Sequence, residues 1–180
     1  MIYEPAEDSL LLKKHIKHYA RGKNLVLDMG TGSGLLAVEA AGYAHKVIAV
    51  DINPEAIEHC CKTINKSNIE FRQSDLFSNI QKNEKFDLII FNPPYLPLDK
   101  DEPEDSQLAT TGGRKGYELI QKFLSDAKAY LAEKGEILLL FSSLTRTNDV
   151  NRIIQKNGFT YNEIARQHLF FEDIIVYILK

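Results

Sequence analysis

The sequence lacks several features that would assign it to a particular class of protein. Its 180 residues include no tryptophan and only two cysteines, Cys60 and Cys61. Adjacent cysteines form neither a disulfide framework nor a metal knuckle, and we expect at least one of them to be a small buried residue of a helix. No apolar run approaches the roughly 20 residues that cross a bilayer, so no membrane span is expected.

The chain also has little excess of positive or negative charge. The formal net charge is −3, and so small an excess gives no global attraction to nucleic acid. The amino-terminal residues carry acids without a basic stretch, which is not typical of a signal peptide. The sequence contains no internal repeat, low-complexity tract or Gly/Ser linker. We therefore expect one domain over residues 1–180, in a protein of the cytoplasm.

Short apolar runs alternate with amphipathic segments along most of the chain. Strands buried on both faces are predicted at 25–27, 47–50, 86–91 and 137–141, and a further strand is predicted at 69–72. Helices are predicted from near Pro5, from an Asn53 cap, over 117–131 and over 148–156. Two final strand-like runs, 159–166 and 174–179, have no helix between them. The order predicts an α/β fold with a doubly wound, mostly parallel seven-stranded sheet and a C-terminal antiparallel hairpin.

A glycine-rich loop follows the first predicted strand and opens a helix. Residues 28–34 read Asp-Met-Gly-Thr-Gly-Ser-Gly, and such glycines allow a sharp turn and a close approach of the backbone to a ligand. The fingerprint of dinucleotide sites is G-x-G-x-x-G. Here Leu35 stands where its third glycine belongs, which argues against NAD or FAD. A tight turn with no ligand is the alternative interpretation.

Acidic residues follow the next two predicted strands. Asp51 ends the second strand, where a carboxylate can accept hydrogen bonds from both hydroxyls of a ribose. Asn53 already offers a cap for the next helix, so a ligand role is favoured for Asp51. Asp75 follows the third strand and can accept a hydrogen bond from an adenine amino group, with Leu76 lining the ring. These positions predict a nucleoside-containing cofactor.

The tetrapeptide Asn92-Pro93-Pro94-Tyr95, at the end of the fourth predicted strand, is the most specific signal in the chain. The prolines stiffen the backbone and remove its donors there. The Asn92 side-chain oxygen and the Pro93 carbonyl can then accept from a substrate NH2 group, while Tyr95 stacks on the planar group that bears it. None of the five histidines has a defensible catalytic context, so no general base is nominated.

These motifs together resemble the HemK/PrmC class of protein-glutamine N5-methyltransferases, in the short branch found in archaea and eukaryotes. The resemblance covers nearly the whole chain, and its motifs are residues 3–9, 28–34, 51–54, 75–76, 92–95 and 112–116. It implies a class I, Rossmann-like methyltransferase fold with S-adenosyl-L-methionine as cofactor and S-adenosyl-L-homocysteine as product. Bacterial members carry an extra N-terminal helical domain. With the first motif at residue 3, we expect none here.

The resemblance also implies roles for individual residues. The cofactor would be bound by Ser9, Asp28, Gly30, Gly32, Gly34, Asp51, Ile52, Asp75, Leu76 and Asn92. Asn92, Pro93, Pro94 and Tyr95 would bind the substrate, and Asn92, Pro93 and Tyr95 would be catalytic, with no metal. Ser9 stands where members often have threonine, a change that keeps the hydroxyl group.

The substrate and the partner follow from the resemblance as well. In this family the acceptor is the glutamine of a Gly-Gly-Gln motif in a peptide chain release factor. The short branch usually works as a heterodimer with a small activating subunit, often zinc-binding. An uncovered edge strand at 69–72 would suit the addition of a strand from such a partner.

Other acceptors are compatible with the same tetrapeptide. Adenine also presents an NH2 group on a planar ring, so an adenine-N6 methyltransferase acting on a flipped base is the main alternative. The segment 99–105, within the aperiodic stretch 96–115, holds five acids and one lysine and would repel phosphates. A protein-lysine methyltransferase and a non-catalytic cofactor-binding scaffold are further alternatives.

Overall fold

The computed structural model describes residues 7–95 and 111–180, so the acidic segment 99–105 lies outside the described residues. The strands are β1 Leu25–Met29, β2 Lys46–Asp51, β3 Ile69–Gln73, β4 Phe86–Phe91, β5 Leu131–Ser142, β6 Tyr161–His168 and β7 Asp173–Leu179. The helices are α1 Glu7–Ala20, α2 Leu35–Ala41, α3 Pro54–Thr63, α4 Glu118–Ala127 and α5 Thr147–Lys156, with short 3-10 turns at Lys128–Tyr130 and Ser143–Thr145. Within these ranges, no helix is long and apolar enough to cross a membrane.

The seven strands form one sheet in the order β3-β2-β1-β4-β5-β7-β6. Strands β1 to β5 pair in parallel, and β7 runs antiparallel to both β5 and β6. The predicted fold is therefore confirmed, including the C-terminal hairpin. The chain order reverses between β1 and β4, and at such a point an open α/β sheet forms its ligand crevice beyond the carboxyl ends of the strands.

Helices cover both faces of the sheet. On one face, α1 and α2 pack through Leu12, Ile16 and Ala37 against strand residues such as Val26. On the other face, α4 and α5 contribute Ile120, Phe123, Leu124, Ala127, Val150 and Ile154 to a second core. Successive residues of a strand point to opposite faces, so a strand covered on both sides is apolar at almost every position, as the sequence pattern required.

Strand β5 begins earlier than its apolar pattern indicates. The strand runs from Leu131, whereas the sequence predicts a helix as far as that residue and a strand only over 137–141. Its first half is polar and pairs with Phe86 through a register shift. A Cβ at Gly135 would lie 2.5 Å from the Phe86 carbonyl oxygen. The pairing depends on this close contact with a distant strand, which periodicity cannot show.

The adjacent cysteines of α3 have different environments. Cys60 is fully buried and Cys61 is exposed. The expectation that at least one of them is a buried small residue is confirmed. The spacing of residues 57, 60, 61 and 64 also predicts an apolar stripe that includes Cys61, and for Cys61 that prediction is wrong. The helix buries Ala56 and Cys60, so its buried face is narrower than the four apolar-looking positions 57, 60, 61 and 64 indicate.

Candidate active site

Most of the candidate residues converge at the carboxyl edge of the sheet. Strands β3, β2, β1 and β4 lie side by side, and the polar candidates belong to their last residues or to the turns that follow. The glycine loop and Asn92 flank the reversal point between β1 and β4. Ser9 reaches the same place from the first turn of α1, because its hydroxyl lies 3.2 Å from the Asn92 amide nitrogen.

The three loop glycines share a left-handed backbone but have different surroundings. The φ angles of Gly30, Gly32 and Gly34 are 70°, 53° and 81°, which L-residues with a side chain rarely adopt. A Cβ built at Gly30 meets no described atom within 4 Å, whereas one at Gly34 would lie 2.4 Å from Ile64 Cδ1. Gly30 therefore leaves room for a ligand, while Gly34 is required by the packing of helix α3.

Asp28 is buried at the start of the glycine loop, with 1% of its surface exposed. Thr31 Oγ1 donates a hydrogen bond of 2.6 Å to Asp28 Oδ2, and Oδ1 has no hydrogen-bond partner among the described residues. Burial raises the pKa of Asp28 to about 7 because desolvation disfavours the charged carboxylate. A cationic donor approaching Oδ1 would favour ionisation, so this residue fits the ammonium group of an amino-acid-like ligand.

Asp51 connects the glycine loop to the next helix. Its Oδ2 accepts from the Gly32 amide at 2.8 Å and its Oδ1 from the Asn53 amide at 2.9 Å. Asn53 caps α3 by accepting from the Glu55 amide, which confirms the predicted cap. Each oxygen of an ionised carboxylate has two lone pairs. Asp51, which is half-buried, can therefore accept ribose hydroxyls in addition to these amides.

Asp75 lies in an exposed turn and is paired. Lys122 Nζ donates to both of its carboxylate oxygens, at 3.1 and 2.9 Å. The next residue, Leu76, is buried and has a φ of 48°, a conformation that marks a bulky residue as an outlier. The Ser74 hydroxyl stabilises the turn by donating to the Leu76 carbonyl. Backbone strain of this kind concentrates at ligand sites, which is consistent with the predicted role of this turn.

The tetrapeptide at residues 92–95 is held by helix α1. Asn92 Nδ2 donates to Asp8 Oδ2 and to Ser9 Oγ, both at 3.2 Å, and the Tyr95 hydroxyl lies 3.4 Å from the same Asp8 oxygen. Asn92 Oδ1 is buried and has no hydrogen-bond partner in the described ranges. Pro93 is buried, and Tyr95 is half-buried. Asn92 therefore presents an acceptor, as predicted from its residue type.

Gly112, in the motif at 112–116, packs against this tetrapeptide. A Cβ at Gly112 would lie 2.6 Å from the Pro94 carbonyl oxygen and 2.2 Å from that of Gly116. Only a glycine permits this approach. The motif, which follows the undescribed segment 96–110 in the chain, therefore packs beside the proposed substrate-binding residues.

The contacts of Asp8 with the tetrapeptide are not evident from the sequence. The residue belongs to the motif at residues 3–9, where an acid near the start of a helix is explained by its favourable interaction with the helix dipole. The structure places its carboxylate against Asn92 and Tyr95, 84 and 87 positions away in sequence. The available signal was its place beside Ser9, the one residue of that motif given a ligand role. Ile52, a further candidate, is half exposed beside Asp51.

The chain is similar to several known methyltransferases. The family model described as methyltransferase small domain matches residues 6–171. A Methanocaldococcus jannaschii protein named as an N5-glutamine methyltransferase is 40% identical, over 97% of this chain and 89% of its own length. The human methyltransferase HEMK2 is 30% identical, over 87% of this chain and 79% of its own length. The release factor glutamine methyltransferase of Fusobacterium nucleatum is 32% identical, and the match spans 44% of that longer protein.

A solved structure has the same fold over the full chain. The E. cuniculi complex of Mtq2 with Trm112, described as responsible for methylation of the translation termination factor eRF1, aligns with a TM-score of 0.78 and 25% identity. The alignment covers 99% of this chain and 98% of the other. With the methyltransferase small domain matched over residues 6–171, this chain belongs to that methyltransferase family, and within it to the HemK/PrmC class of protein-glutamine N5-methyltransferases.

Proposed function

We propose that this protein transfers a methyl group from S-adenosyl-L-methionine to the side-chain amide nitrogen of the glutamine in a Gly-Gly-Gln motif of a peptide chain release factor. The observation that carries the proposal is the Asn92 side chain, whose amide faces Asp8 and Ser9 and whose oxygen is left as a buried acceptor. The names of the relatives and the complex of Mtq2, which acts on eRF1, support the choice of acceptor.

The glycine loop and the turns that follow β2 and β3 support S-adenosyl-L-methionine as the cofactor. Asp28 Oδ1, which has no hydrogen-bond partner within residues 7–95 and 111–180, suits the ammonium group of the methionine part, and the open space at Gly30 admits the ligand. Asp51 would accept the ribose hydroxyls, and Asp75, Leu76 and Ile52 would surround the adenine. Ser9, Gly32 and Gly34 complete the proposed set. When bound, the cofactor supplies an electrophilic methyl group on a sulfonium.

The protein's own residues act on the acceptor by orienting it. An amide nitrogen is a weak nucleophile because its lone pair is delocalised. Asn92 Oδ1 and the Pro93 carbonyl would each accept one of its protons, and Tyr95 would stack on the amide plane. Holding the nitrogen in line with the methyl group provides catalysis by positioning and electrostatics, without a strong base. Pro94 contributes by keeping this backbone rigid.

A small activating subunit, zinc-binding as in the short branch of the family, would complete the enzyme as a heterodimer. Strand β3 is the outermost strand on its side of the described sheet, and an open edge can accept a strand from another chain. The neighbour of known structure is itself a complex with Trm112. A substrate that acts in translation termination also favours a cytoplasmic location. The single sheet with its two cores favours one domain over residues 1–180.

The substrate assignment is tested with labelled S-adenosyl-L-methionine and four acceptors. These are a release factor with Gly-Gly-Gln, its Gly-Gly-Ala variant, single-stranded DNA and duplex DNA, each offered to the chain alone and to its complex with the co-expressed small subunit. We expect label on the release factor with Gly-Gly-Gln and on none of the other three acceptors. Label on the Gly-Gly-Ala variant would indicate another residue, such as a lysine, and label on DNA alone would indicate an adenine-N6 methyltransferase.

A further inference from the structure

A buried carboxylate in the first turn of α1 holds both polar side chains of the tetrapeptide. Asp8 is 4% exposed. Its Oδ2 lies 3.2 Å from Asn92 Nδ2 and 3.4 Å from the Tyr95 hydroxyl. Its Oδ1 accepts the Ser9 amide at 2.6 Å. Both oxygens of Asp8 are thus engaged as acceptors, one by the helix backbone and one by the tetrapeptide.

This arrangement determines which end of the Asn92 side chain faces the substrate. The oxygen and the NH2 group of an asparagine have almost the same shape, and they exchange places by a rotation of the amide. An ionised carboxylate can only accept hydrogen bonds, so the NH2 group must face Asp8. A serine hydroxyl can both donate and accept, so Ser9 alone would not select either orientation.

The orientation matters because the proposed acceptor is itself an NH2 group. Asn92 Oδ1 can accept a hydrogen bond from the substrate NH2 group. If the Asn92 amide were rotated, its own NH2 group would face the substrate NH2 group, and two donors cannot form a hydrogen bond. The buried, partnerless state of Oδ1 within the described residues is the state that an incoming NH2 group would satisfy, since buried acceptors without partners are unfavourable.

We infer that Asp8 is a positioning residue that fixes the Asn92 amide with its oxygen toward the substrate and restrains Tyr95 in the same way. The inference rests on the proposed function, in which the acceptor is a planar NH2 group. It goes beyond a helix-start charge, because Glu7 occupies the same first turn and is exposed. Both acids interact favourably with the helix dipole, but Asp8 is the one bonded to Asn92.

The Asp8→Asn variant tests the orientation directly. An asparagine at position 8 has one side-chain oxygen, whereas both oxygens of Asp8 accept hydrogen bonds from described residues. If that oxygen stays on the Ser9 amide, the new NH2 group faces Asn92, and Asn92 must rotate to bond with it. We expect kcat to fall roughly 10- to 100-fold, the range for an interaction with a charged partner. The affinity for S-adenosyl-L-methionine should change less than about threefold. The matched control, Glu7→Gln, should leave kcat unchanged.

A reciprocal exchange separates positioning from a general structural role. Asn92→Asp alone brings two carboxylates together and should be slow. In the double variant Asp8→Asn/Asn92→Asp, the new asparagine donates to the new carboxylate, whose other oxygen still faces the substrate. We expect the double variant to turn over at least about 10-fold faster than Asn92→Asp. A merely structural role for Asp8 predicts no such recovery.

A measurement that does not require the methyl-accepting substrate is the nitrogen-15 NMR spectrum of the Asn92 side-chain NH2 group. Its signals are assigned by their loss in Asn92→Asp. Asp8→Asn should shift them and Glu7→Gln should not. Unaltered signals in Asp8→Asn, or turnover within about twofold of the unmodified enzyme, would overturn the inference. If instead the signals shift as expected but the unmodified enzyme leaves the release factor unlabelled, the proposed substrate fails while the positioning role stands.

Discussion

The two halves of the carboxyl edge hold their key atoms in different ways. On the cofactor side, the Asp51 carboxylate accepts from two backbone amides, those of Gly32 and Asn53. On the acceptor side, the Asp8 carboxylate accepts from two side chains, those of Asn92 and Tyr95. A backbone N–H group always donates, whereas rotation of a side-chain amide exchanges its donor NH2 group and its acceptor oxygen. The cofactor half therefore depends on backbone shape, whereas the acceptor half depends on which atoms are donors.

This difference separates the expected effects of substitutions. Changes on the acceptor side should act mainly on turnover, because they alter hydrogen-bond polarity without disturbing the sheet. Changes on the cofactor side should act on stability and cofactor affinity together, because the same carboxylates and glycines shape the backbone and face the ligand.

The largest effect is expected for Asn92→Ala, which removes the acceptor oxygen. We expect kcat to fall by about 10²- to 10³-fold, as when a preorganised hydrogen-bonding group is removed from an active site. The melting temperature should stay close to that of the unmodified protein. Asn162→Ala, at an exposed position of β6, is the control in the same methyl-transfer assay. Undiminished turnover of Asn92→Ala would contradict the proposed mechanism.

The loop glycines sharpen the cofactor side of the comparison. Gly34→Ala combines an unfavourable φ with a contact at 2.4 Å to Ile64 Cδ1, so we expect unfolding to be easier by about 2–3 kcal/mol. Gly30→Ala has the φ penalty without the contact and should lose about 1–2 kcal/mol. Denaturant unfolding of both variants measures the difference.

A second substitution identifies the cause at Gly34. Ile64→Val removes the Cδ1 atom, so adding it to Gly34→Ala should restore part of the lost stability, while adding it to Gly30→Ala should not. By calorimetry, Gly30→Ala should be the variant with the larger loss of cofactor affinity relative to its loss of stability. Equal behaviour of the two glycines would show that the loop does not divide its roles in this way.

A smaller effect is expected for Asp51→Asn, which replaces one acceptor oxygen by a donor. We expect cofactor affinity to fall about 10-fold, the value of one hydrogen bond to a charged group. Asp87 offers a matched control, because its Oδ2 accepts the Asn24 and Leu25 amides at 2.8 and 3.1 Å. Leu25 begins β1 and Asn24 directly precedes it, so both lie at the end of the strand opposite the candidate site. Asp87→Asn should affect stability and leave cofactor affinity unchanged, and an equal loss in both variants would remove Asp51 from the ribose role.

The smallest effect concerns the buried Asp28 carboxyl, whose pKa burial raises to about 7. In the unfolded chain this group ionises near pH 4, whereas the folded protein keeps the proton until near pH 7. The native state therefore binds more protons between these values, and its stability falls as pH rises. Relative to Asp28→Asn, the ligand-free protein should lose about 1 kcal/mol of unfolding free energy between pH 6 and 7. A difference that does not vary with pH would contradict the raised pKa.

The sequence predicted the sheet and the placing of acidic residues at its carboxyl edge well, because both depend on local order. Each apolar run became a strand, and the acids that follow those runs, such as Asp51 and Asp75, came together because parallel strands share a carboxyl edge. The fit of Asp28, Asp51 and Asp75 to the cofactor stays a prediction. Lys122, which pairs with Asp75 from α4, was not foreseen, since nothing in its surroundings along the chain marks it.

The features of the fold and of the candidate site that the sequence did not predict depend on contacts between distant parts of the chain. Asp8 and Asn92 are 84 residues apart, and Gly34 is constrained by the packing of Ile64 from α3. The polar half of β5 has no apolar period and forms a strand only through its pairing with β4. In each case the determining interaction is tertiary, and a motif identifies the residue without identifying its partner.

The most direct test of the account is tandem mass spectrometry of the release factor after incubation with the enzyme and S-adenosyl-L-methionine, with the small subunit present. We expect one added methyl group on the side chain of the Gly-Gly-Gln glutamine, formed by the unmodified enzyme and lost in Asn92→Ala. A methyl group on any other residue, or one that Asn92→Ala forms equally well, would contradict it.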